Sequence, residues 1–192
     1  MGDKFRCFGA TPLYEEYHDN EWGRPVHDDS KLFEMLILEG AQAGLSWETV
    51  LKKRESYREA FDGFDPRRVA LYDDAKIAEL MVNAGIIRNR LKVNAAVINA
   101  RLFLGIIEKH GSFDKFIWAY VGNKPIVGHW ESFKSMPLTT PVSDKISKDL
   151  KKMGFKFVGS TIIYSFMQAV GMVNDHLTPC HVYQEMKQNG VL

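Results

Sequence analysis

FEMLILEGAQAGLSWETVLKKR, residues 33–54, predicts two helices that meet at a bend of small residues. The apolar run of the first helix ends at Glu39, and the residues that follow, 40–44, are too small to fill a core. Ser46 is a suitable N-cap for the second helix, whose apolar residues recur at helical spacing as far as about Phe61. The bend therefore gathers a carboxylate, an amide, a leucine and an indole, carried by Glu39, Gln42, Leu45 and Trp47.

The rest of the chain carries further helical patterns, bounded by capping residues, prolines and glycines. We expect helices over about 31–39, 66–71, from Asp73 or Asp74 until Gly85 as the C′ residue, from near Ile87 to His110, over 112–121, over 144–153 with Ser143 as the cap, and from Ser160 or Thr161 through Val170. The last of these is apolar on most sides, which predicts a central position. Residues 1–30, the loop 122–142 and the tail after 170 are predicted to be irregular. Since no segment is typical of a strand, the predicted class is all-α.

The composition is that of an ordinary globular protein. The 192 residues are 45% hydrophobic and 26% charged, and a chain of this length can bury a sizeable core. No apolar run approaches the roughly 20 residues of a membrane helix, and the polar start MGDKFRCFGA is unlike a signal peptide. We therefore expect a cytoplasmic protein that has no membrane partner and is a monomer.

Charge is unevenly distributed, although the formal net charge is only +1. Residues 84–101 carry four basic side chains and no acid, and residues 143–159 carry five lysines against two aspartates. Two such basic patches suit a protein that holds an anionic polymer on one face. Two solvated helix faces explain the same pattern, so charge alone leaves both interpretations open.

Two cysteines and two histidines lie in pairs near opposite ends of the chain: Cys7 with His18, and His176 with Cys180. Two thiolates and two imidazoles form a tetrahedral zinc site with no open coordination position, so the ion would be structural. The spacing of the second pair lets both side chains reach one ion. A disulfide between the cysteines is disfavoured in a reducing cytoplasm. Four unrelated residues remain an alternative, because the spacing is not that of a standard zinc finger.

The segment AELMVNAGIIRNRLKV, residues 78–93, predicts a helix, a short turn over 83–87 and a basic helix. Outward-facing backbone N–H groups at such a turn bind a phosphate, because unpaired donors and the helix dipole both favour an anion. Arg88, Arg90 and Lys92 add positive charge beside it. A helix-hairpin-helix uses this arrangement to hold one DNA strand without reading its sequence. An ordinary pair of helices with a basic exposed face is the alternative.

Aromatic residues accompany the acid at the bend. Tyr14, Tyr17 and Trp22 lie in a segment rich in Asp, Glu and Asn, where a core face is hard to build. With Glu39 and Trp47 they suit a flat cationic guest, because each ring attracts a cation by about 0.5–2 kcal/mol and the carboxylate accepts from an amino group. An alkylated purine is such a guest. Packing in an ordinary core is the alternative.

Several longer motifs resemble the family of bacterial DNA-3-methyladenine glycosylases I. They cover about residues 6–180: Cys7 followed by His18, YHDNEWGRPVHDD (17–29), LFEMLILEGAQAGLSWETVLKKR (32–54), FDP (64–66), AGIIRNRLKV (84–93), GFKFVGSTIIYSFMQAVGMVNDH (154–176) and Cys180. The resemblance implies a helix-hairpin-helix enzyme of base excision repair. It also implies one structural zinc ion, with Cys7, His18, His176 and Cys180 as its ligands.

The resemblance further implies roles for the residues of the site. Glu39 recognises the base, Tyr17 and Trp47 stack on it, and Tyr14 and Trp22 line the pocket. The partner is double-stranded DNA containing 3-methyladenine, which the enzyme flips out of the duplex before hydrolysing the N-glycosidic bond without cutting the strand. The expected DNA contacts are Gln42, Gly44, Leu45, Asn83, Gly85, Ile86 and Arg88. Leu45 fills the gap that the flipped base leaves, with a plain helix-packing contact as the alternative.

The implied organisation is a single unit over residues 1–192. The helix-hairpin-helix core spans about 65–142, and the zinc-joined ends with their flanking helices form a second lobe. One departure concerns a tryptophan that the family carries two residues after its first cysteine, where this chain has RCFG at 6–9 and offers Phe8 instead. Two rival functions remain: a non-catalytic zinc-containing DNA-binding module, and an enzyme for small cationic heterocycles.

Overall fold

The computed structural model describes residues 4–190, which are mostly helical. The helices are α1 Pro12–Asn20, α2 Asp29–Gln42, α3 Trp47–Lys52, α4 Arg54–Ala60, α5 Pro66–Val69, α6 Asp74–Val82, α7 Arg90–His110, α8 Phe113–Trp118, α9 Pro141–Met153, α10 Ser160–Ala169 and α11 His181–Gln188. Two short strands, β1 Ile126–Val127 and β2 Val173–Asn174, pair in parallel. The prediction of a helical protein is confirmed. No helix within 4–190 has an apolar stretch long enough to cross a bilayer.

Polar caps begin several helices as the sequence predicts. The side chains of Asp28, Ser46, Asp65 and Asp73 accept hydrogen bonds from backbone N–H groups in the first turns of α2, α3, α5 and α6. Each bond satisfies a donor that has no partner inside its own helix. The starts of the two helices that flank the bend are therefore fixed by local hydrogen bonds, from the N-cap Asp28 for α2 and from the N-cap Ser46 for α3.

Three helix ends differ from the prediction. The helix expected to end at Glu39 continues to Gln42, so Gly40 and Ala41 are helical and buried. The helix expected to continue to Phe61 is interrupted at Lys53, where ψ is 0°, and so becomes α3 and α4. The helix expected to end with Gly85 as its C′ residue ends at Val82 instead. Gly85 is required for a different reason, because a Cβ there would lie 2.7 Å from the Ser56 Cβ of α4.

Two helix starts also differ. The long helix α7 begins three residues later than expected, because Asn89 is the N-cap and its side chain accepts from the Lys92 N–H. The cap of α9 is Thr140 rather than Ser143. Ser143 forms the reciprocal half of a capping box with Thr140, and Pro141 takes the first helical position.

Three elements lie where the sequence predicts irregular chain: α1, α11 and the strand pair. The strand pair joins Ile126 to Val173 and Val127 to Asn174. Its two halves are far apart in sequence and two residues long, so neither carries a recognisable alternating pattern. The pair ties the long loop after α8 to the segment that follows α10.

The core is organised around α2 and α10. On α10 the side chains of Ile163, Phe166 and Met167 are fully buried, and α2 is buried on nearly every side from 32 to 41. The two helices pack against each other, and α9 covers α10 from another side. A helix that is apolar all round belongs in the interior, so the predicted central position of α10 is confirmed.

A buried ion pair connects α2 to α4. The Arg54 side chain is 5% exposed, and its Nε donates to Glu34 Oε1 at 2.6 Å while its terminal nitrogens donate to the Glu21 carboxylate at 2.9 Å. Burial raises the pKa of Glu34 more than any single neighbour lowers it, but the charge and hydrogen bond of Arg54 together with Lys31 and Arg58 hold that pKa below its usual value. Such a pair fixes the relative position of two helices more than it adds net stability, because desolvation offsets the attraction.

Replacing Arg54 by methionine tests this pair. The Arg54→Met variant leaves Glu34 buried with less compensation, so we expect the free energy of unfolding in urea to fall by about 3 kcal/mol. Adding Glu34→Gln should recover most of that loss. As a control, Lys76→Met breaks the exposed pair with Glu79 and should cost less than about 1 kcal/mol. Equal losses in both single variants would contradict the interpretation.

Candidate active site and metal cluster

The bend between α2 and α3 presents a short exposed tip, which we call the elbow and define as residues 43–46. The chain turns at Gly44, whose φ of +81° lies in the left-handed region that favours glycine. The Leu45 N–H donates to Gln42 O at 2.6 Å and closes the turn. The Leu45 side chain is 41% exposed. This exposure favours a contact with a partner over a helix-packing contact, and the role of Leu45 at the DNA stays a prediction.

A cavity of about 170 Å³ lies beside the elbow, between α1, α2 and α10. The residues predicted to surround the base all line it: Tyr14, Tyr17, Trp22, Glu39 and Trp47. Gln42 lines it too, together with Phe8, Ser165 and Gln168. A second opening of about 270 Å³ shares Glu39, Gln42 and Ser165 with this cavity and includes Gly44 and Leu45. The cavity therefore communicates with the elbow.

Aromatic rings form one side of the cavity. The Tyr17 and Trp47 ring centroids are 5.4 Å apart, with the planes tilted by 48°. Phe8 packs on Tyr14 and Trp22 at centroid distances of 4.8 Å and 4.9 Å. Phe8 is thus a member of the aromatic wall.

Glu39 lies in this cavity as a buried carboxylate with an unsatisfied oxygen. Its side chain is 4% exposed, and no group within residues 4–190 hydrogen-bonds to Oε2. The indole Nε1 of Trp47 is likewise buried without an acceptor in the described chain. Native proteins satisfy nearly all buried polar atoms, so one unpaired acceptor and one unpaired donor on the same cavity indicate a binding site.

Burial alters the acid–base behaviour of the site. Removing the Glu39 carboxylate from water disfavours its charged form and raises its pKa to about 8. The pKa of Tyr17 is also raised well above its ordinary value, first by its own burial and then by the charge of Glu39. At neutral pH the free protein therefore holds Glu39 mostly protonated. A cation that enters the cavity would lower the pKa of Glu39 and favour the carboxylate.

Sequence reasoning missed two polar residues of the cavity, Ser165 and Gln168, on the inner side of α10. They are three residues apart and therefore share one helix face. The available signal was their polarity within an otherwise apolar helix. Gln168 Nε2 donates to Asp175 Oδ2 at 2.8 Å, a contact between α10 and the residue before His176 that no local pattern reveals.

The predicted metal ligands converge. Cys7 Sγ, His18 Nε2, His176 Nδ1 and Cys180 Sγ all lie within 4.8 Å of one another. The distance from Cys180 Sγ is 3.5 Å to His18 Nε2 and 3.6 Å to His176 Nδ1. Both cysteines are free thiols, so the disulfide alternative is wrong, and the four residues are not unrelated. A Cys2His2 set of this size, with three of its four residues buried, can hold one tetrahedral ion.

The groups behind these four atoms support the same interpretation. His18 Nδ1 lies 2.7 Å from Asp19 Oδ1, and His176 Nε2 lies 2.9 Å from Trp22 O. Each imidazole thus has an oxygen partner for its outer nitrogen, which leaves the inner nitrogen to face the cluster, as metal-binding histidines require. The Leu177 N–H donates to Cys7 Sγ at 3.1 Å, and such a bond favours the thiolate.

The hairpin turn differs from the open anion site that its sequence predicts. The Gly85 N–H donates to Asn83 Oδ1 at 2.7 Å, and the Ile87 N–H donates to the Tyr57 hydroxyl at 3.2 Å. The Ile86 side chain is buried at 2% exposure, so a DNA contact at this residue would have to use its backbone, and that contact stays a prediction. The turn packs on α4 through Gly85 against Ser56 and through the Ile87 N–H on Tyr57. Arg88 is exposed beside the turn.

The chain is similar to known proteins over nearly its whole length. The sequence profile of the methyladenine glycosylase family matches residues 7–183. DNA-3-methyladenine glycosylase 1 of Escherichia coli (strain K12) is 52% identical over 180 residues, which covers 93% of this chain and 96% of that protein.

Two solved structures are similar as well. A crystal structure of 3-methyladenine DNA glycosylase I superimposes with a TM-score of 0.89 at 52% identity, covering 92% of this chain and 98% of that chain. A variant of 3-methyladenine DNA glycosylase I in complex with 3-methyladenine has a TM-score of 0.89 at 40% identity, covering 91% of this chain and 94% of that chain. The chain therefore belongs to the methyladenine glycosylase family.

Proposed function

We propose that this protein is a DNA repair enzyme that removes 3-methyladenine from alkylated double-stranded DNA by hydrolysing the N-glycosidic bond. Membership of the methyladenine glycosylase family supports this activity. The observation that carries the proposal is Glu39, a buried carboxylate with an unpaired oxygen on a cavity lined by aromatic rings. The protein acts as a monomer and leaves the DNA strand uncut.

The chemistry of the damaged base matches the cavity. Adenine that is methylated at N3 while N9 remains bonded to the sugar carries a positive charge. The faces of Tyr17 and Trp47 attract a flat cation by about 0.5–2 kcal/mol per ring. Glu39 accepts a hydrogen bond from the exocyclic amino group, and its negative charge pairs with the cation. Unmodified adenine is neutral and gains neither charge interaction, so the pocket selects the damaged base by its charge.

Protonation of Glu39 is coupled to binding. Its pKa of about 8 in the free protein means that the cationic base binds a carboxyl that is mostly protonated at pH 7. A cation within about 4–6 Å favours the carboxylate, so a proton leaves Glu39 as the base enters. Affinity for the cationic base therefore rises with pH until the pH exceeds the pKa of the free protein.

Bond cleavage needs little acid assistance. When the C1′–N9 bond breaks, its electron pair goes to N9 and the base leaves as a neutral molecule. Water then adds to the oxocarbenium carbon C1′ and loses a proton to solvent. Glu39 holds the base in place and stabilises the developing positive charge on the sugar. Within residues 4–190 no lysine lines the cavity, so a Schiff-base route to strand cleavage has no nucleophile there.

Base flipping costs a few kcal/mol of lost stacking and pairing. Leu45, at the exposed elbow, fills the gap in the duplex, as other apolar side chains do when they wedge between base steps. Gln42 and Gly44 approach the strands beside it. The turn over 83–87 is a helix-hairpin-helix turn that lies against the DNA backbone, with Asn83 and Gly85 fixing its shape. Arg88 contacts a phosphate there.

The Cys2His2 cluster of Cys7, His18, His176 and Cys180 holds one structural zinc ion. With four protein ligands the ion has no open position and takes no part in bond cleavage. It joins α1 to the segment before α11, and so fixes the aromatic wall next to α10. We further propose that residues 1–192 work as one unit, with a helix-hairpin-helix core over about 65–142 and the zinc-joined ends in a second lobe.

Two rival functions have less support. A non-catalytic DNA-binding module has no need of the unpaired carboxylate in a base-sized cavity. An enzyme for small cationic heterocycles has no need of an exposed leucine at the mouth of the cavity. Base release from DNA separates the first rival from the proposal, and salt-dependent DNA affinity separates the second.

Release of 3-methyladenine from methylated DNA, measured by chromatography under single-turnover conditions, is the experiment that tests the proposal. We expect the parent protein to release the base and Glu39→Gln to be about 10- to 100-fold slower, because the variant loses a charged hydrogen bond of about 1.5–3 kcal/mol. A parent protein that releases no 3-methyladenine contradicts the proposed function. A variant as fast as the parent contradicts the role of Glu39.

The same variant has an expected effect on stability. The pKa of Glu39 is about 8 in the folded protein and about 4.3 in an unfolded chain. The parent therefore loses stability as the pH rises between these two values, by about 1.4 kcal/mol per unit at most. Glu39→Gln lacks this loss and should become progressively more stable than the parent up to about pH 8. Urea unfolding at several pH values measures the difference, and a constant difference would contradict the raised pKa.

Cysteine replacement tests the metal proposal. We expect the parent protein to contain one zinc ion by atomic absorption, and Cys180→Ser to lose both the zinc and thermal stability, on the order of 10 °C in Tm. His129→Gln is a suitable control, because His129 binds the Tyr183 hydroxyl outside the cluster and its replacement should leave the zinc in place. A parent protein that binds no zinc would end this proposal.

The DNA-binding proposal predicts a change in salt dependence. Losing one phosphate contact lowers the slope of log affinity against log salt by about 0.9, and we expect this for Arg88→Met on undamaged duplex DNA. Lys109→Met is the control, since Lys109 lies roughly 30 Å away at the other end of α7. Replacing Gly85 is a poorer test because a Cβ there disturbs the packing on α4. The same slope for Arg88→Met and the parent would argue against a phosphate contact.

A further inference from the structure

Lys92 makes contacts that its sequence context does not predict. It lies in the first turn of α7 among basic residues that suit a phosphate contact. Instead its Nζ donates to two backbone carbonyls of the bend, Ala41 O at 2.8 Å and Ala43 O at 2.7 Å. The side chain is half-buried between α7 and the end of α2.

These two carbonyls need a donor from elsewhere. The last four carbonyls of a helix have no partner within that helix, and the last turn of α2 carries no basic residue of its own. Inside the bend, the Leu45 N–H bonds to Gln42 O at 2.6 Å, and the Ala43 N–H bonds to Gly40 O at a long 3.4 Å. The positive charge of Lys92 also interacts favourably with the negative C-terminal end of the α2 dipole. Lys92 therefore stabilises the end of α2 and the elbow through hydrogen bonds from another helix.

We propose that Lys92 is a positioning residue that holds the elbow, and with it Leu45, in a fixed relation to the hairpin turn. This inference rests on the proposed function. The Lys92 side chain starts from α7, which follows the hairpin turn, and it ends on the carbonyls next to Leu45. Contact of the hairpin turn with a phosphate then sets where Leu45 meets the duplex.

The contacts also assign Lys92 a role other than phosphate binding. Two of its three donor positions are occupied by carbonyls of the protein, and moving Nζ to a phosphate would leave both carbonyls without their donor. A phosphate contact that moves Nζ away from the carbonyls and support of the elbow therefore exclude each other. The two roles predict opposite results in kinetic and salt-dependence measurements.

Lys92→Met keeps most of the side-chain length and removes the donors. We expect base release at saturating DNA to slow by about 10- to 100-fold, because a misplacement of about 1 Å is enough for such a loss. Affinity for undamaged duplex and its salt slope should match those of the parent. A 2-aminopurine placed beside the lesion should show less unstacking with the variant than with the parent.

A double-mutant cycle with Leu45→Ala shows whether Lys92 acts through the position of the Leu45 side chain. If it does, Lys92→Met combined with Leu45→Ala is no slower than Leu45→Ala alone. Lys92→Arg keeps a charge and donors in altered positions, so we expect a smaller loss that is also non-additive with Leu45→Ala. This milder variant is measured in the same cycle if Lys92→Met does not fold.

Several outcomes overturn the inference. A salt slope lowered by about 0.9 with an unchanged rate at saturation makes Lys92 a phosphate contact. Additive losses in the cycle make its effect independent of Leu45. A Lys92→Met variant with parental rate and parental affinity removes any role. In each case an active parent protein leaves the proposed function intact, whereas an inactive parent contradicts the proposed function itself.

Discussion

Burial of an unpaired carboxylate is the constraint on which the rest of this structure depends. Glu39 sits in α2, the most buried helix, and burial raises its pKa to about 8 while Oε2 finds no partner among the described residues. The packing of α2 on α10 offsets the free-energy cost of this arrangement, and the ion pair with Arg54 fixes the position of α2 relative to α4. A cationic base relieves the cost, so the same burial that destabilises the free protein supplies selectivity for a charged, damaged base.

The walls of the cavity come from three parts of the chain, residues 8–22, 39–47 and 165–168, and contacts outside the cavity hold the first two. The Cys2His2 cluster holds α1, because His18 in the cluster directly follows Tyr17 in the aromatic wall. The N-cap Ser46 holds the start of α3 and thus Trp47. Lys92 holds the end of α2 from α7. The Cys2His2 cluster, the cap and the lysine therefore position the rings of α1, the Trp47 indole and the elbow around one acid.

Much of the fold and the site follows from local sequence, and the remainder does not for physical reasons. Caps such as Asp28 and Ser46 bond within their own first turns, and Gly44 takes a positive φ that favours glycine, so these features were predictable. The end of α2 was not, because Gly40 and Ala41 are compatible with a helix and are buried within it. The polar helix α1 was not, because its order comes from contacts with residues at the other end of the chain. Ser165 and Gln168 join the cavity only through the packing of α10. The Ile87 N–H at the hairpin turns inward to Tyr57, thirty residues away.

The most direct test of the central claim is a carbon-13 NMR titration of the Glu39 carboxyl, assigned by comparison with Glu39→Gln. Our account predicts a pKa near 8 in the free protein. It predicts a marked fall of that pKa when 3,9-dimethyladenine, a cation that mimics the damaged nucleotide, occupies the cavity. An ordinary pKa near 4.3 that does not respond to the cation would contradict it.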